Sequence, residues 1–359
     1  MIFPWVSTAV TSLLSVVETV PPVVLVCGEP GIGKTEMARW FCMSLLCEQR
    51  RASGLQSGLG TGMGRGSGLG SGSGLGPGSG LGLGCGQCDA CQWFLANNHP
   101  DFRGLVPAAD DAENSKADAS KEIRIQQIRE IAGFVNTSAH RAGRRVVLID
   151  PADALNVISA NALLKTLEEP TESMHVVLVT ARPQRLPATL RSRCFRFVMP
   201  SPTPHQAAQW LAAELKISDE EARLALAASG NSVKLALGYA DPSLRAAQQT
   251  VLEQLAALPD TESALVADRL TSIDPKLWLP LLQRWLADLG RVLAGAAPQA
   301  FPGRLARLQQ LAKRTHLPAL VAAARLIDRQ SALLTRPLNA RLYCESILFD
   351  YQTAFASKA

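Results

Sequence analysis

The 359-residue sequence contains little that indicates a membrane or secreted protein. No basic residue precedes Lys34, so a charged leader is not expected, and no uninterrupted apolar run reaches the roughly 18 residues of a bilayer span. We therefore expect a cytoplasmic protein. In that reducing compartment its eight cysteines indicate a metal site or free thiols rather than disulfides.

Aromatic residues and long basic runs are also scarce. The chain has three Tyr and a net charge of +5, and its basic and acidic residues are interspersed. Charge alone therefore does not indicate a nucleic-acid partner, and the sequence contains no stripe of alternating basic and aromatic residues. The length and the 47% apolar content predict about two or three packed domains.

Three continuous apolar runs predict buried strands, at 23–27, 144–149 and 176–180. Helical spacing of apolar residues follows each of the first two, at 36–47 and 161–169, and also occupies 123–135. Strands that alternate with helices predict an α/β domain with a parallel, doubly wound sheet.

After the proline-rich stretch 199–204 only helices are expected. The first two cover 206–215 and 219–228, with Ser218 as an N-cap and Gly230 as a stop. The predicted organisation is an α/β domain over 1–198, a small helical domain over 199–242 and a helical domain over 243–359.

One segment of the first domain has an unusual composition. Residues 52–84 consist mainly of Gly, Ser and Leu, which cannot bury enough apolar surface to form a core. We predict a disordered insertion in a loop, and a tether with its own function is the alternative.

A phosphate-binding sequence follows the first predicted strand. Residues 28–35, GEPGIGKT, match the pattern G-x-x-x-x-G-K-[ST] between a strand and a helix. The backbone around Gly28, Gly31 and Gly33 is predicted to cradle phosphates, Lys34 to reach the outer phosphates and Thr35 to ligate Mg²⁺. A glycine turn without a ligand is the alternative.

The carboxylates needed for hydrolysis are incomplete. Asp150 ends the second predicted strand and would hold the metal, but the next residue is Pro151, which cannot act as a base. Asp153 is interpreted as a helix N-cap rather than as a second catalytic carboxylate. We therefore expect ATP or ADP to bind with Mg²⁺ without hydrolysis.

Four cysteines have the spacing of metal ligands. Cys85, Cys88 and Cys91 form two successive C-x-x-C steps, and Cys47 closes the first helix before the Gly-rich segment. If that segment merely lengthens a connection, the four sulfurs can enclose a structural Zn²⁺ in a module spanning 47–91. Free thiols that share this spacing by chance are the alternative.

Two further segments carry a resemblance to a known family. Residues 160–170, ANALLKTLEEP, and 190–194, LRSRC, resemble the bacterial clamp-loader branch of the AAA+ family, and so do the cysteine module and the His-Pro-Asp sequence at 99–101. The resemblance covers about residues 20–240 in family order. It implies an AAA+/RecA-like P-loop domain, a helical lid and a C-terminal collar that joins other subunits.

The resemblance also implies roles for single residues. Arg193 would be an arginine finger acting in trans on the ATP site of a neighbouring subunit, where a guanidinium stabilises charge on the γ-phosphate. Thr180 would be the first sensor residue. An ordinary surface ion pair is the alternative for Arg193.

Two departures from the hydrolysing members imply a stator. Pro151 replaces the expected acidic residue, and Val233 stands where a motor subunit has a nucleotide-sensing arginine, with Lys234 next to it. The implied protein is not catalytic alone but belongs to the clamp loader of the DNA polymerase III holoenzyme, a nucleotidyltransferase complex. Its implied partners are the tau/gamma motor subunits, the clamp-opening subunit, the sliding clamp and, through the complex, primer-template DNA.

Two other functions are considered. A self-sufficient ATPase motor of the tau/gamma type is favoured by Lys34 and Thr35 and opposed by Pro151 and Val233. A zinc-containing P-loop kinase or nucleic-acid-binding module would need an acceptor site or a basic, aromatic stripe, and the sequence shows neither.

Overall fold

The chain divides into two compact units, Met1–Ser201 and Pro202–Ala359. The structure, a computed structural model, describes residues 3–16, 22–52, 84–107, 122–135, 143–168, 173–331, 334 and 339–355. The three-domain division at 198 and 242 stays a prediction. Most of the predicted insertion, 53–83, lies outside the described residues. Its two ends do not, since Ala52 ends a short helix and the backbone N–H of Gly84 donates to Ser44 Oγ at 2.9 Å.

The first unit is an α/β arrangement in which helices connect the strands of one sheet. Its elements are α1 (Pro4–Val16), β1 (Val23–Cys27), α2 (Lys34–Leu46), α3 (Glu48–Ala52), α4 (Asp89–Leu95), β2 (Phe102–Leu105), α5 (Ile125–Val135), β3 (Arg145–Ile149), α6 (Val157–Glu168), β4 (Met174–Thr180), α7 (Ala188–Arg191) and β5 (Phe195–Val198).

Among the described residues the five strands are all parallel and lie in the order β2-β3-β4-β1-β5. The three predicted strands are confirmed and form the centre of the sheet. They have continuous apolar sequences because helices cover both faces of a parallel sheet. The two edge strands, β2 and β5, were not predicted: each has four residues, β2 has two exposed positions between buried ones, and β5 alternates between half-buried and exposed positions.

A buried ion pair ties the edge of this sheet together. Asp101, immediately before β2, and Arg145, the first residue of β3, are 0% and 2% exposed, and Arg145 Nε lies 4.0 Å from Asp101 Oδ1. The guanidinium also lies 4.6 Å from the centre of the Phe134 ring and donates to the Phe134 carbonyl. Asp101 of the His-Pro-Asp segment therefore has a structural role, because its carboxylate balances the buried positive charge of Arg145.

In the second unit every described element is helical. Its α-helices are α8 (Pro204–Leu215), α9 (Asp219–Ala228), α10 (Val233–Leu237), α11 (Pro242–Ala257), α12 (Ser263–Leu270), α13 (Pro275–Leu293), α14 (Leu305–Ala312), α15 (Leu317–Ser331) and α16 (Ala340–Thr353). Along the described parts of both units, no helix is long and apolar enough to cross a membrane.

The second unit confirms the predicted helix pair and its caps. Ser218 and Glu221 form a capping box at the start of α9, and Gly230 follows its end with φ of 64°. Farther along, Trp278 and Trp285 of α13 are fully buried. The indole N–H of Trp285 donates to the Tyr351 hydroxyl of α16 at 2.9 Å, which fixes two helices in the core of this unit.

Candidate functional site

Three predicted site residues lie together at the carboxyl ends of the central strands. Cys27 pairs with Thr180 and Ile149 with Leu178, so β1, β3 and β4 end at nearly the same level. Gly28 and Asp150 directly follow β1 and β3, and Thr180 ends β4. This edge is where parallel α/β folds bind ligands, because loops and helix N-termini converge there.

The phosphate loop has the backbone that its sequence predicts. Gly31 and Gly33 have φ of 74° and 94°, which residues with a Cβ rarely adopt. Helix α2 begins at Lys34, whose side chain donates from Nζ to the Glu29 carbonyl inside the loop. Burial lowers the pKa of Lys34, and the nearby Asp150 carboxylate opposes that shift. Thr35 is the second residue of α2.

The interpretation of Asp153 as a helix N-cap is wrong. Asp153 lies within a 3₁₀ turn, Ala152–Ala154, and the residue that caps α6 is Asn156, whose side chain accepts from the Ser159 N–H at 2.8 Å. The Asp153 carboxylate instead accepts from the Thr180 hydroxyl at 2.6 Å and from Arg182 Nε at 3.1 Å.

These contacts determine what the strand-end carboxylates can do. Both carboxylate oxygens of Asp153 accept hydrogen bonds and its side chain is 6% exposed, so it is poorly placed to activate water. Thr180, 1% exposed, donates a hydrogen bond from its hydroxyl to the Asp153 carboxylate. Pro151 follows Asp150 through a cis peptide bond and is exposed.

A segment that the sequence analysis missed lies against the loop. An added Cβ at Gly33 would lie 2.5 Å from Phe3 Cδ2, and the Trp5 indole N–H donates to the Ile32 carbonyl at 2.8 Å. Gly33 therefore has no room for a side chain, because Phe3 packs against the position that a Cβ would occupy.

Arg193 lies near the amino-terminal ends of the strands, whereas the phosphate loop lies at their carboxyl ends. The first residue of β5, Phe195, pairs with Val24 near the start of β1, and Arg193 precedes β5 by two residues. The five residues of β1 span roughly 16 Å at strand geometry. Since Gly28 follows the far end of β1, Arg193 is remote from the phosphate loop of its own chain.

Arg193 is exposed and takes part in local contacts. Its Nη2 lies 3.0 Å from Glu168 Oε1 at the end of α6, and Nη1 donates to the Thr189 carbonyl at 3.0 Å. The side chains of Arg193 and Glu168 are 40% and 51% exposed. The two segments that carried the family resemblance thus meet at this ion pair.

Val233 and Lys234, at the position of the nucleotide-sensing arginine of the motor subunits, belong to the second unit. Val233 begins α10 and is fully buried, whereas Lys234 is exposed. Val233 therefore fills the helical core of this unit and carries no group that could contact a nucleotide.

The four predicted ligand cysteines converge at the other end of α2. Cys47 follows the last residue of α2, Cys88 caps α4 and Cys91 lies within it. The sulfurs of Cys47, Cys85, Cys88 and Cys91 all lie within 4.8 Å of one another, and those of Cys85 and Cys91 are 3.9 Å apart. Tetrahedral Zn²⁺–sulfur bonds of about 2.3 Å place ligand sulfurs roughly 3.8 Å apart, so this donor set fits the ion.

Local hydrogen bonds and burial act differently on these thiols. Burial acts against ionisation of Cys85, but N–H donors from Cys88 and Gln87 lower its pKa to about 7. Burial raises the pKa of Cys47 and Cys91. A thiolate at these two positions needs a positive charge beside it, which a divalent metal ion supplies.

The fold and these sites define the chain as a parallel α/β protein with a phosphate-loop sequence and a four-cysteine cluster that could hold a metal such as zinc. A family model described as DNA polymerase III, delta subunit, matches residues 78–203. The DNA polymerase III subunit delta' of Pseudomonas aeruginosa is 33% identical over 74% of this chain and 69% of its own length. The chain belongs to the family of DNA polymerase III delta' subunits.

Two other relatives define how far the likeness extends. The delta' subunit of Yersinia pestis is 30% identical over 76% of this chain and 80% of its own length. The DNA polymerase III subunit tau/gamma of Haemophilus influenzae is 28% identical over 72% of this chain but only 33% of its own length. The chain is thus also similar to the tau/gamma group, at lower identity.

Proposed function

We propose that this chain is the stator of a bacterial clamp loader: it assembles with ATPase motor subunits and a clamp-opening subunit and contributes Arg193 to a neighbouring ATP site. Family membership supports the complex, and the position of Arg193 supports the role. An exposed arginine at the amino edge of the sheet cannot serve its own loop at the carboxyl edge, but it can reach another subunit.

The domain roles follow from the same proposal. Residues 1–198 form the AAA+ domain, 199–242 the lid and 243–359 the collar that joins the tau/gamma and delta subunits. The complex then acts on the sliding clamp and on primer-template DNA. Zn²⁺ bound by Cys47, Cys85, Cys88 and Cys91 is structural, because four protein ligands leave no open position for chemistry.

The strand-end residues support a chain that does not hydrolyse ATP. Pro151 supplies no base, and the carboxylate of Asp153 is bound to Thr180 and Arg182. Asp150 and Thr35 would hold Mg²⁺ if nucleotide entered the loop, and Lys34 would have to leave the Glu29 carbonyl to reach a phosphate. These residues could bind and orient phosphates, but no group among them is free to activate water.

The decisive experiment measures DNA- and clamp-stimulated ATP turnover in a loader reassembled with tau/gamma, delta and this chain. We expect Arg193→Ala to lower turnover by about 10³-fold at the adjacent site while assembly is unchanged, because the guanidinium stabilises transition-state charge. The matched control is Arg191→Ala, an exposed arginine two residues away. Unchanged turnover with Arg193→Ala in an intact complex would contradict the stator role.

A tau/gamma-type motor is the second candidate, favoured by the intact sequence GEPGIGKT and by the likeness to tau/gamma proteins. It requires hydrolysis at the loop of this chain. Turnover by the purified chain alone that disappears with Lys34→Ala would support the motor. Absence of turnover from the purified chain, with full turnover in the reassembled loader, would support the stator.

A further inference from the structure

The phosphate loop combines an intact motif with a covered surface. Gly28 to Thr35 retain each residue of the motif, and Gly31 and Gly33 adopt the left-handed φ that makes glycine necessary. Yet the face of Gly33 on which a Cβ would stand is in contact with Phe3 Cδ2 and Cε2, at 2.5 and 2.8 Å from that point, and with Val6 at 3.2 Å. A side chain of the same protein fills the space that glycine leaves free.

Phe3 is held firmly in this position. It is 3% exposed, and its ring stacks on Trp5 with centroids 5.2 Å apart and planes inclined by 13°. Trp5 is fixed in turn by the hydrogen bond from its indole N–H to the Ile32 carbonyl, one residue before Gly33. Helix α1, which begins at Pro4, packs on α2 through Val6, Val10 and Leu13, each fully buried.

The ammonium of Lys34 also has a hydrogen-bond partner within the loop. Lys34 is 7% exposed and donates to the Glu29 carbonyl, so its ammonium lies within the loop that would receive phosphates. Nucleotide binding therefore requires two local changes: Phe3 must leave Gly33, and Lys34 must exchange the Glu29 carbonyl for a phosphate oxygen. The first change exposes an aromatic ring to water and carries the larger cost.

We propose that Phe3, anchored by Trp5, determines nucleotide occupancy of the phosphate loop by covering Gly33, so that ATP or ADP binds only when Phe3 is displaced. The proposal rests on the proposed function in one respect, since it takes the loop to be a nucleotide site. It explains how a chain can keep the complete motif while its loop is closed to nucleotide.

The test is binding of a fluorescent ADP analogue with Mg²⁺ to the purified full chain, followed by anisotropy and by competition with unlabelled ADP. Phe3→Ala should tighten binding by about 10- to 100-fold, because nucleotide no longer has to expose a buried aromatic ring. Trp5→Phe keeps the ring but removes the anchor to the Ile32 carbonyl, and should tighten binding by roughly 2- to 10-fold. The ADP affinity of Trp5→Phe also tests the proposal if Phe3→Ala fails to fold.

Two controls separate uncovering of the loop from general loosening of α1. Leu13→Ala removes a buried side chain of the same helix that does not appear among the atoms nearest to Gly33, and it should leave ADP affinity unchanged. Adding Lys34→Ala to Phe3→Ala should abolish the gained binding, which places the analogue in the phosphate loop. Thermal melting of each variant checks that it is folded.

The proposal is overturned if the wild-type chain binds as tightly as Phe3→Ala, if Phe3→Ala binds more weakly, or if Leu13→Ala gains the same affinity. Failure of every variant to bind nucleotide also overturns it. None of these outcomes tests the stator role, which is measured separately by Arg193→Ala in the reassembled loader. Loss of turnover there with no nucleotide bound to any Phe3 variant would retain the stator and reject the proposed cover.

Discussion

Helix α2 has a ligand-binding sequence at each end, and the two ends differ. At its start the motif GEPGIGKT is complete, but Phe3 covers Gly33 and Lys34 donates to its own loop. At its end Cys47 lies with three other cysteines whose sulfurs converge within 4.8 Å of one another. The first end thus has its motif packed against and bonded to its own chain, whereas the second end brings four metal-ligand side chains together.

The physical difference lies in what satisfies each end. The Lys34 ammonium has a hydrogen-bond partner in its own chain, the Glu29 carbonyl, and the Phe3 ring fills the space beside Gly33. Four thiols within 4.8 Å of one another have no comparable internal substitute as thiolates, because like charges repel. Two substitutions and one segment replacement test this contrast.

The largest effect is expected at the cysteine end. Cys91→Ser should reduce the bound metal from about one ion per chain to none and lower the melting temperature strongly, since structural zinc sites contribute on the order of 10 kcal/mol. Metal content by mass spectrometry and thermal melting measure both quantities. Cys42→Ala is the matched control: Cys42 is fully buried in α2 but outside the cluster, so its loss should leave metal content unchanged.

A smaller effect is expected at the phosphate-loop end. Gly33→Ala introduces a Cβ against Phe3 and forces a φ of 94°, so we expect the free energy of unfolding to fall by roughly 2–5 kcal/mol in urea titrations. Combining it with Phe3→Ala should recover the steric part. Gly133→Ala, in α5 with nothing within 4 Å, should cost nothing or stabilise slightly. Equal costs of Gly33→Ala with and without Phe3 would contradict the contact.

The smallest effect is expected from the segment that separates Cys47 from the other three cysteines of the cluster. Replacing 53–83 by a short glycine-serine linker should leave metal content unchanged and alter the free energy of unfolding by less than about 1 kcal/mol, because loop-closure cost varies slowly with length. Loss of metal from this variant would show that the segment contributes to the cluster.

The sequence predicted the centre of the sheet better than its edges. β1, β3 and β4 were found because strands covered on both faces are continuously apolar. β5, Phe195–Val198, alternates between half-buried and exposed positions over only four residues, and β2 contains Gly104. Neither carries a signal strong enough to distinguish it from a loop, since an edge strand pairs on one side only.

In the candidate sites, features that depend on neighbouring residues in the sequence were predicted, and contacts between distant residues were not. The cysteine spacing and the glycine positions are local patterns: the four sulfurs converge and Gly31 and Gly33 have positive φ, while the metal and phosphate roles of these residues stay predictions. The contacts of Asp153 with Thr180 and of Phe3 with Gly33 join residues 27 and 30 positions apart in the chain, and no spacing rule connects them. Asp153 was misassigned because a carboxylate after a strand also fits a helix cap.

The ion pair between Arg193 and Glu168 has a consequence for exchange between partners. Both side chains are about half exposed, and such pairs contribute less than about 1 kcal/mol. This corresponds to a preference of less than about fivefold over the separated state, and added salt weakens it further. An anion of modest affinity can therefore replace Glu168 as the partner of the Arg193 guanidinium at little cost in free energy.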